Sequence, residues 1–254
     1  WTSGVGGRWV EHRLLELGVT LARGMEATRD LATELLDGNP EHIQAMLALA
    51  SVASREGKWG EAEQHLSTVA DLELKTGDSH SALAAQLAAA RIAERVDPED
   101  ARANYERAIE RDRGSVIGNM GLFRLHQRVG TWDEARKVGQ RLSRLDLEPD
   151  VRAGILCDVG AICRDELEDF KQARLAYERA LRSVPNYIPA LTGLAETFAA
   201  RGEPARAAVY LARLAEEASS DGRDDDVVSL YLRIGELWET QLKDEQTAGE
   251  YYQR

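Results

Sequence analysis

An alanine returns along the chain at nearly regular intervals, each time inside a similar short segment. The segments include GKWGEAEQHL (57–66), GTWDEARKVG (130–139) and DFKQARLAYERALRS (169–183). Such self-similarity is the signature of stacked repeats, in which each unit buries its apolar face against its neighbours. The six alanines, called the marker alanines below, lie 39, 34, 38, 34 and 41 residues apart: Ala62, Ala101, Ala135, Ala173, Ala207 and Ala248.

Each repeat is predicted to be two helices joined by a short turn. The turn holds a glycine in three repeats and the acidic segment RDELEDF, one residue longer, in a fourth. Ala173 and Ala180 are seven residues apart and therefore share one helical face, with Tyr177 between them. We expect the alanines to lie where helices cross, because a larger side chain would overpack such a crossing. No alternating apolar pattern predicts a strand.

One repeat combines an apolar–small pair, two aromatic residues, two alanines and a closing proline. This set resembles the tetratricopeptide repeat (TPR) family, and the resemblance extends over roughly residues 43–254. Repeat three departs from the pattern at Gly139 and Leu142, and Pro98 replaces the turn aromatic in repeat two. The set consists of Val159, Gly160, Phe170, Ala173, Tyr177, Ala180 and Pro185.

The resemblance implies an all-α, right-handed superhelical solenoid of about seven stacked antiparallel helix pairs. We expect an irregular lead-in over residues 1–7 and a degenerate N-terminal helical pair over 8–40. An array of six repeats, the last one incomplete, follows over 41–254. The chain starts at Trp1 and stops at Arg254 inside a helical pattern, so the natural chain is expected to continue or to be covered there. Without a covering helix, the face formed by Ile234, Leu237 and Tyr252 would be open to self-association.

Family members hold a peptide or a helix in a concave groove lined by the first helix of each pair. The repeat register assigns Leu47, Ser51, Ser54 and Arg55 to this groove in repeat one, Met120, Arg124, Gln127 and Arg128 in repeat three, and Cys157, Ala161, Arg164 and Asp165 in repeat four. The partner-binding residues that we favour are Leu47, Ser51, Arg55, Met120, Arg124, Gln127, Arg128 and Arg164. Their arginines could hold an acidic peptide, or could be solvated or paired within the array.

Charge and motif content narrow the function. The net charge of −12 argues against nucleic acid and anionic membranes as main partners, and no apolar run is long enough to span a membrane. No residue pattern indicates a catalytic, cofactor or metal site; the aspartates of DGRDDD (221–226) suit a helix N-terminus. The expected function is a non-catalytic scaffold; the alternative is a docking or regulatory segment of a longer, enzymatic chain.

The two cysteines, Cys157 and Cys163, are six residues apart on one predicted helix. Their side chains would point about 120° apart, so they cannot easily pair. We expect two buried structural thiols in a reducing compartment, which favours the cytoplasm.

Overall fold

In the computed structural model, residues 24–254 are described, and every regular element in that range is a helix. The helices are α1 (Met25–Gly38), α2 (Ile43–Arg55), α3 (Trp59–Thr76), α4 (Ser79–Ala93), α5 (Pro98–Arg111), α6 (Val116–Val129), α7 (Trp132–Leu142), α8 (Pro149–Ala161), α9 (Phe170–Ser183), α10 (Ile188–Ala200), α11 (Pro204–Ser220), α12 (Asp224–Glu236) and α13 (Glu245–Gln253). The predicted all-α fold of stacked helix pairs is confirmed.

Local sequence signals set where these helices begin and end. The side chains of Asp78, Asp169 and Asp244 accept hydrogen bonds from backbone N–H groups three residues on, at the starts of α4, α9 and α13. Such caps satisfy backbone donors that have no partner inside the helix. The turns that follow α2 and α6 contain Gly57 and Gly130 at φ of 76° and 78°, a conformation that glycine adopts without steric cost.

The chain divides into two compact units, of which the first ends at Gly130 and the second begins at Thr131. In the first unit, α1 to α6 pack each against the next, and α4 also contacts α6. In the second unit, α7 to α13 pack in the same sequential way, and α8 also contacts α10. Contacts between near neighbours along the chain are what a stack of helix pairs requires.

The prediction for the N-terminal part can be compared only in part. Residues 1–7 and the first helix of the pair expected over 8–40 lie outside the described residues, whereas α1 coincides with the second helix of that pair. The division of 41–254 into six repeats stays a prediction.

The marker alanines lie at the helix crossings, as the sequence predicts. All six have side chains that are at most 2% exposed: Ala62, Ala101, Ala135, Ala173, Ala207 and Ala248. Ala180 is also completely buried, and Tyr177 between the two alanines of α9 is 2% exposed. A larger side chain at a marker position would therefore have no space to occupy.

Tyr177 lies so close to two glycines that it occupies the space that their side chains would need. A Cβ on Gly160 of α8 would lie 2.7 Å from the tyrosine ring, and a Cβ on Gly193 of α10 would lie 2.2 Å from it. Tyr105 of α5 approaches Gly121 of α6 in the same way, at 2.2 Å. The tyrosine of one helix pair thus fixes how closely the first helix of the next pair can approach.

Two first helices end in a π-helical turn, at Ile162–Glu166 after α8 and at Leu237–Gln241 after α12. In both, the small residue of the first helix precedes the marker alanine by 13 residues, whereas Ala50 precedes Ala62 by 12. A π turn accommodates one extra residue without ending the helix. The longer acidic turn that the sequence shows is therefore the site of a π turn and not a longer loop.

The turns after both π turns place a residue other than glycine in the left-handed region. Glu168 has φ of 51° and Lys243 has φ of 55°. These two residues stand where Gly57, Gly130 and Gly202 stand in the turns of other pairs. An L-residue in this conformation costs roughly 1–2 kcal/mol.

The expectation for the C-terminal face is partly wrong. Ile234 is completely buried, because it packs in a cluster with Leu191, Leu211 and Leu214 of the preceding helices. Tyr252 lies against Gly235 as Tyr177 lies against Gly160, but it is 41% exposed. Leu237, the third residue of this expected face, is half-buried.

We predict that Gly193→Ala destabilises the protein by about 1–3 kcal/mol, because the buried Tyr177 ring cannot move away from the new methyl group. Gly249→Ala is the matched control, since Gly249 lies in α13 and a Cβ there would meet no atom within 4 Å. The control should be neutral or stabilising by up to about 1 kcal/mol. Urea unfolding of both variants measures the difference; equal stabilities would show that Tyr177 does not restrict the crossing.

We also predict that Glu168→Gly stabilises the protein by up to about 1 kcal/mol, since glycine removes the left-handed strain at this turn. Glu166→Gly, two residues earlier in the π turn, should destabilise it, because the helical backbone gains nothing from glycine. Thermal unfolding of the two variants is the measurement. A Glu168→Gly protein that melts below the wild type would contradict the prediction.

Candidate functional site

The residues predicted to line a partner-binding groove differ widely in exposure. In the first unit, Arg55, Arg124 and Arg128 are exposed, and Ser51, Met120 and Gln127 are half-buried. In the second unit, the Arg164 side chain is only 16% exposed. The eight predicted residues are therefore not one uniform binding surface.

Leu47 is not part of a surface. It is 1% exposed and packs in a cluster with Leu66 and Ala85, and Leu36 of α1 packs against the same cluster. The register assigns Leu47 to the groove side of α2, but residues of α1, α3 and α4 together cover its side chain. The expectation that Leu47 offers apolar surface to a partner is wrong for this reason.

Arg128 is bound to a carboxylate of the preceding helix pair. Its Nη1 donates to Glu94 Oε2 at 2.8 Å, and Tyr105 Oη donates to Glu94 Oε1 at 2.5 Å. Burial, and then the hydrogen bond to Glu94, raise the pKa of the Tyr105 hydroxyl. Glu94 thus links Tyr105 of α5, which packs on Gly121, to Arg128 of α6. Arg128 therefore helps to hold neighbouring helices together.

Arg164 is bound still more tightly, to two carboxylates. Its Nε and Nη2 donate to Asp165 at 2.6 and 2.9 Å, and its Nη1 donates to Glu196 Oε2 of α10 at 2.6 Å. The hydrogen bond to Asp165 is the main cause of the raised pKa of this guanidinium, although burial opposes it. A partner carboxylate would have to displace both acids.

Arg55 and Arg124 are the predicted arginines that remain available. Neither forms a hydrogen bond or an ion pair within residues 24–254. Met120, Arg124, Gln127 and Arg128 are spaced i, i+4, i+7 and i+8, so they share one face of α6. This set, called the α6 face below, combines a half-buried thioether, an amide and an unpaired guanidinium.

Cys157, which the register also assigns to the groove, is 8% exposed, and Cys163 is completely buried. Both are free thiols, as the sequence predicts. Burial raises the pKa of Cys157 to about 12 and the pKa of Cys163 to about 11. Both therefore stay protonated at neutral pH and are poor nucleophiles.

Asp224, Asp225 and Asp226 of the DGRDDD segment lie in the first turn of α12, as predicted. Arg223 donates to Asp226 at 2.9 Å and to Asp221 at 3.2 Å, which neutralises part of their charge. No group of three or more His, Cys, Asp or Glu side chains in the described part of the chain is arranged to hold a metal ion. Among the same residues, no helix is both long and apolar enough to cross a bilayer.

Sequence reasoning missed a buried polar network in the first unit. Gln86 of α4 is completely buried and donates to Asn104 of α5 at 2.5 Å, and Asn104 donates to Glu63 of α3 at 2.8 Å. The sequence signal for this network was the presence of amide side chains at helix positions that are otherwise apolar. The network joins three helices and has no access to solvent at Gln86, so it has a structural role.

Comparison with known proteins agrees with this architecture. A family model described as tetratricopeptide repeat matches residues 164–223. The chain therefore carries a tetratricopeptide-repeat sequence in this segment, and its fold is that of TPR proteins. The match spans α9, α10, α11 and the turns beside them, where the tyrosine–glycine crossing of Tyr177 lies. No curated protein sequence matches the chain.

Two solved structures share the TPR fold of this protein. The C-terminal part of a TPR repeat-containing protein from Cytophaga hutchinsonii is 13% identical, with a TM-score of 0.61, over 96% of this chain and 93% of that one. The MamA protein is 17% identical, with a TM-score of 0.53, over 72% of this chain and 96% of that one. At these identities the likeness establishes the fold and not the partner.

We predict that the protein loses stability between about pH 9 and 11, the range between the pKa of an unfolded cysteine and that of the folded Cys163. The folded thiols keep their protons to higher pH than an unfolded cysteine, whose pKa is near 9.0. Their contribution is therefore fully present below that pKa and falls as the pH rises, by about 1 kcal/mol per thiol once the pH exceeds it by one unit.

Urea unfolding midpoints across this pH range measure the effect. The double variant Cys157→Ala, Cys163→Ala should be less stable at pH 7 but should show a smaller loss between pH 9 and 11. An unchanged pH dependence in the double variant would contradict the assignment to these thiols.

Proposed function

We propose that this TPR protein is a non-catalytic interaction scaffold whose α6 face binds a carboxylate-bearing peptide or helix of a partner protein. The observation that carries the proposal is Arg124, an exposed guanidinium that has no partner within residues 24–254. It lies on the same helix face as the half-buried Met120. The arginine can form a two-pronged bond to a carboxylate, and the thioether packs against varied apolar side chains.

The α6 face contains fewer available arginines than the row that the sequence predicts. Arg128 and Arg164 are held by internal carboxylates, so Arg124 supplies the charge and Met120 supplies the apolar contact. An exposed ion pair is worth only about 0–1 kcal/mol. Binding must therefore combine burial of Met120 with the bond to Arg124, and the peptide should carry an apolar residue near its acidic one.

Self-association through the C-terminal crossing is a second element of the proposal. Tyr252 is 41% exposed where it packs on Gly235, whereas Tyr177 in the equivalent place is covered by Gly193 of the following helix. A helix with a small residue at its centre fits such a face, because a glycine lets its backbone approach the ring.

We predict that peptides selected from a random display library against this protein carry Asp or Glu together with an apolar residue. They should lose binding to Arg124→Glu, because the reversed charge repels their carboxylate. Fluorescence polarisation with the selected peptides measures the affinities.

Arg113→Glu is the matched control, because it makes the same change in net charge. Arg113 is also an exposed arginine of the first unit, and its side chain has no partner among the described residues. The variant should bind the peptides as the wild type does. Selected peptides that bind Arg124→Glu with unchanged affinity would show that the α6 face is not the partner site.

A further inference from the structure

A second group of arginines lies on the second helices of the pairs, and the sequence register shows why it is unusual. Nine residues after the marker alanine, three repeats carry an acid: Asp71, Glu110 and Glu216. The two repeats between them carry arginine at the same place, Arg144 and Arg182. The sign of the charge at this position therefore reverses in two consecutive repeats.

The first unit shows what the acid does at this position. Arg111 of α5 donates to Asp71 Oδ1 at 2.7 Å and to the Ala70 carbonyl at 2.8 Å, and Arg107 donates to Ser67 Oγ at 3.3 Å. The arginines of one second helix thus reach back to a serine and an acid of the preceding second helix. The charge of Arg111 is therefore compensated by Asp71 inside the unit, whereas Arg107 is held by the serine alone.

The second unit has a comparable serine contact without the acid, although Ser143 lies eight residues after its marker alanine and Ser67 lies five residues after its own. Arg179 of α9, which stands where Arg107 stands, donates to Ser143 Oγ at 3.3 Å. Arg144 follows Ser143 directly and stands in the place of Asp71. Arg182 lies three residues after Arg179, one helical turn along α9.

Among the described residues, no carboxylate pairs with these three arginines. Within residues 24–254, Arg144 and Arg182 form no ion pair or side-chain hydrogen bond, and the Arg179 side chain bonds only to Ser143. The pKa of the Arg179 guanidinium is lowered, first by burial and then by the positive charges of Arg144 and Arg182. In a chain with a net charge of −12, such uncompensated repulsion is a cost that an anion would remove.

We propose that Arg144, Arg179 and Arg182 form a binding site for an oxyanion of a partner protein, either a phosphate group or the carboxylates of an acidic segment. Ser143 holds Arg179 in place, and its two neighbours leave their planar donors free for two-pronged bonds. Recognition of phosphorylated or acidic segments by arginine clusters is an established binding mode. The site uses different helices from the α6 face and does not depend on it.

The test uses inorganic phosphate, a hexaglutamate peptide and a serine peptide in phosphorylated and unphosphorylated forms. Proton–nitrogen spectra of the arginine Nε groups should show saturable shifts at Arg144, Arg179 and Arg182 with at least one anionic probe. Arg144→Asp gives this position the residue type that the first unit has. The new carboxylate should pair with the neighbouring arginines and weaken binding at least about tenfold. The variant should melt at or above the wild-type temperature.

Arg144→Gln removes the charge without adding an acid and should also weaken binding, which separates loss of the site from any change in folding. Arg107→Gln is the control, because Arg107 occupies the position of Arg179 in the first unit. This variant should bind as the wild type does. Binding of the phosphorylated peptide alone would assign the site to phosphate, and binding of hexaglutamate alone to an acidic segment.

Three results would overturn the proposal. They are the absence of saturable shifts with every anionic probe, unchanged binding by both Arg144 variants, and equal binding of the unphosphorylated serine peptide. A short DNA duplex that competes more strongly than either peptide would also overturn it, because the partner would then be a nucleic acid.

Discussion

The stack depends on tyrosine rings that lie against glycines at the helix crossings. Tyr177 occupies the space of the missing side chains of both Gly160 and Gly193, and therefore belongs to two successive helix pairs at once. Protein interiors are packed as densely as crystals, so a ring in such a place fixes the distance and register of the helices around it. The positions of surface charges along the stack follow from that register.

An inserted residue would shift this register, and the two π turns accommodate the extra residue without such a shift. After Gly160 and Gly235 the chain has one residue more than after Ala50, yet Ala173 and Ala248 are as buried as Ala62. A residue added to the loop would have left the helices unchanged as well, but here it lies within the helix. The consequence is a turn that places Glu168 and Lys243 in the left-handed region, a local strain that the packing of the crossing outweighs.

The sequence was sufficient for features that depend on local spacing. The marker alanines, the turn glycines, the burial of both cysteines and the aspartate-rich start of α12 all follow from helical periodicity and from residue types at helix ends. Leu47 was assigned wrongly because its burial depends on the neighbouring helices, which the repeat register alone does not include. Ile234 was assigned wrongly because it packs backward onto earlier helices.

The arginines show most clearly where sequence reasoning stops. The register placed Arg128 and Arg164 on first helices, but it could not show that Glu94 and Glu196, 34 and 32 residues away, would bind them. Such pairs span one repeat, so their partners are found by adding the repeat length and not by helical spacing. The reversal at Arg144 and Arg182 becomes visible only when the same positions are compared across repeats.

The same comparison separates structural from available charges. Where an arginine meets an acid of the adjacent pair, as Arg111 meets Asp71, the two neutralise each other and hold the second helices together. Where arginine replaces the acid, as at Arg144, the second helices are joined by the bond from Arg179 to Ser143 and the compensating charge is absent. A fold that can be held together by tyrosine–glycine crossings does not need these ion pairs, since exposed pairs contribute little to stability. The position nine residues after the marker alanine is therefore free to change sign, and a repeat protein can alter its partners there without altering its core.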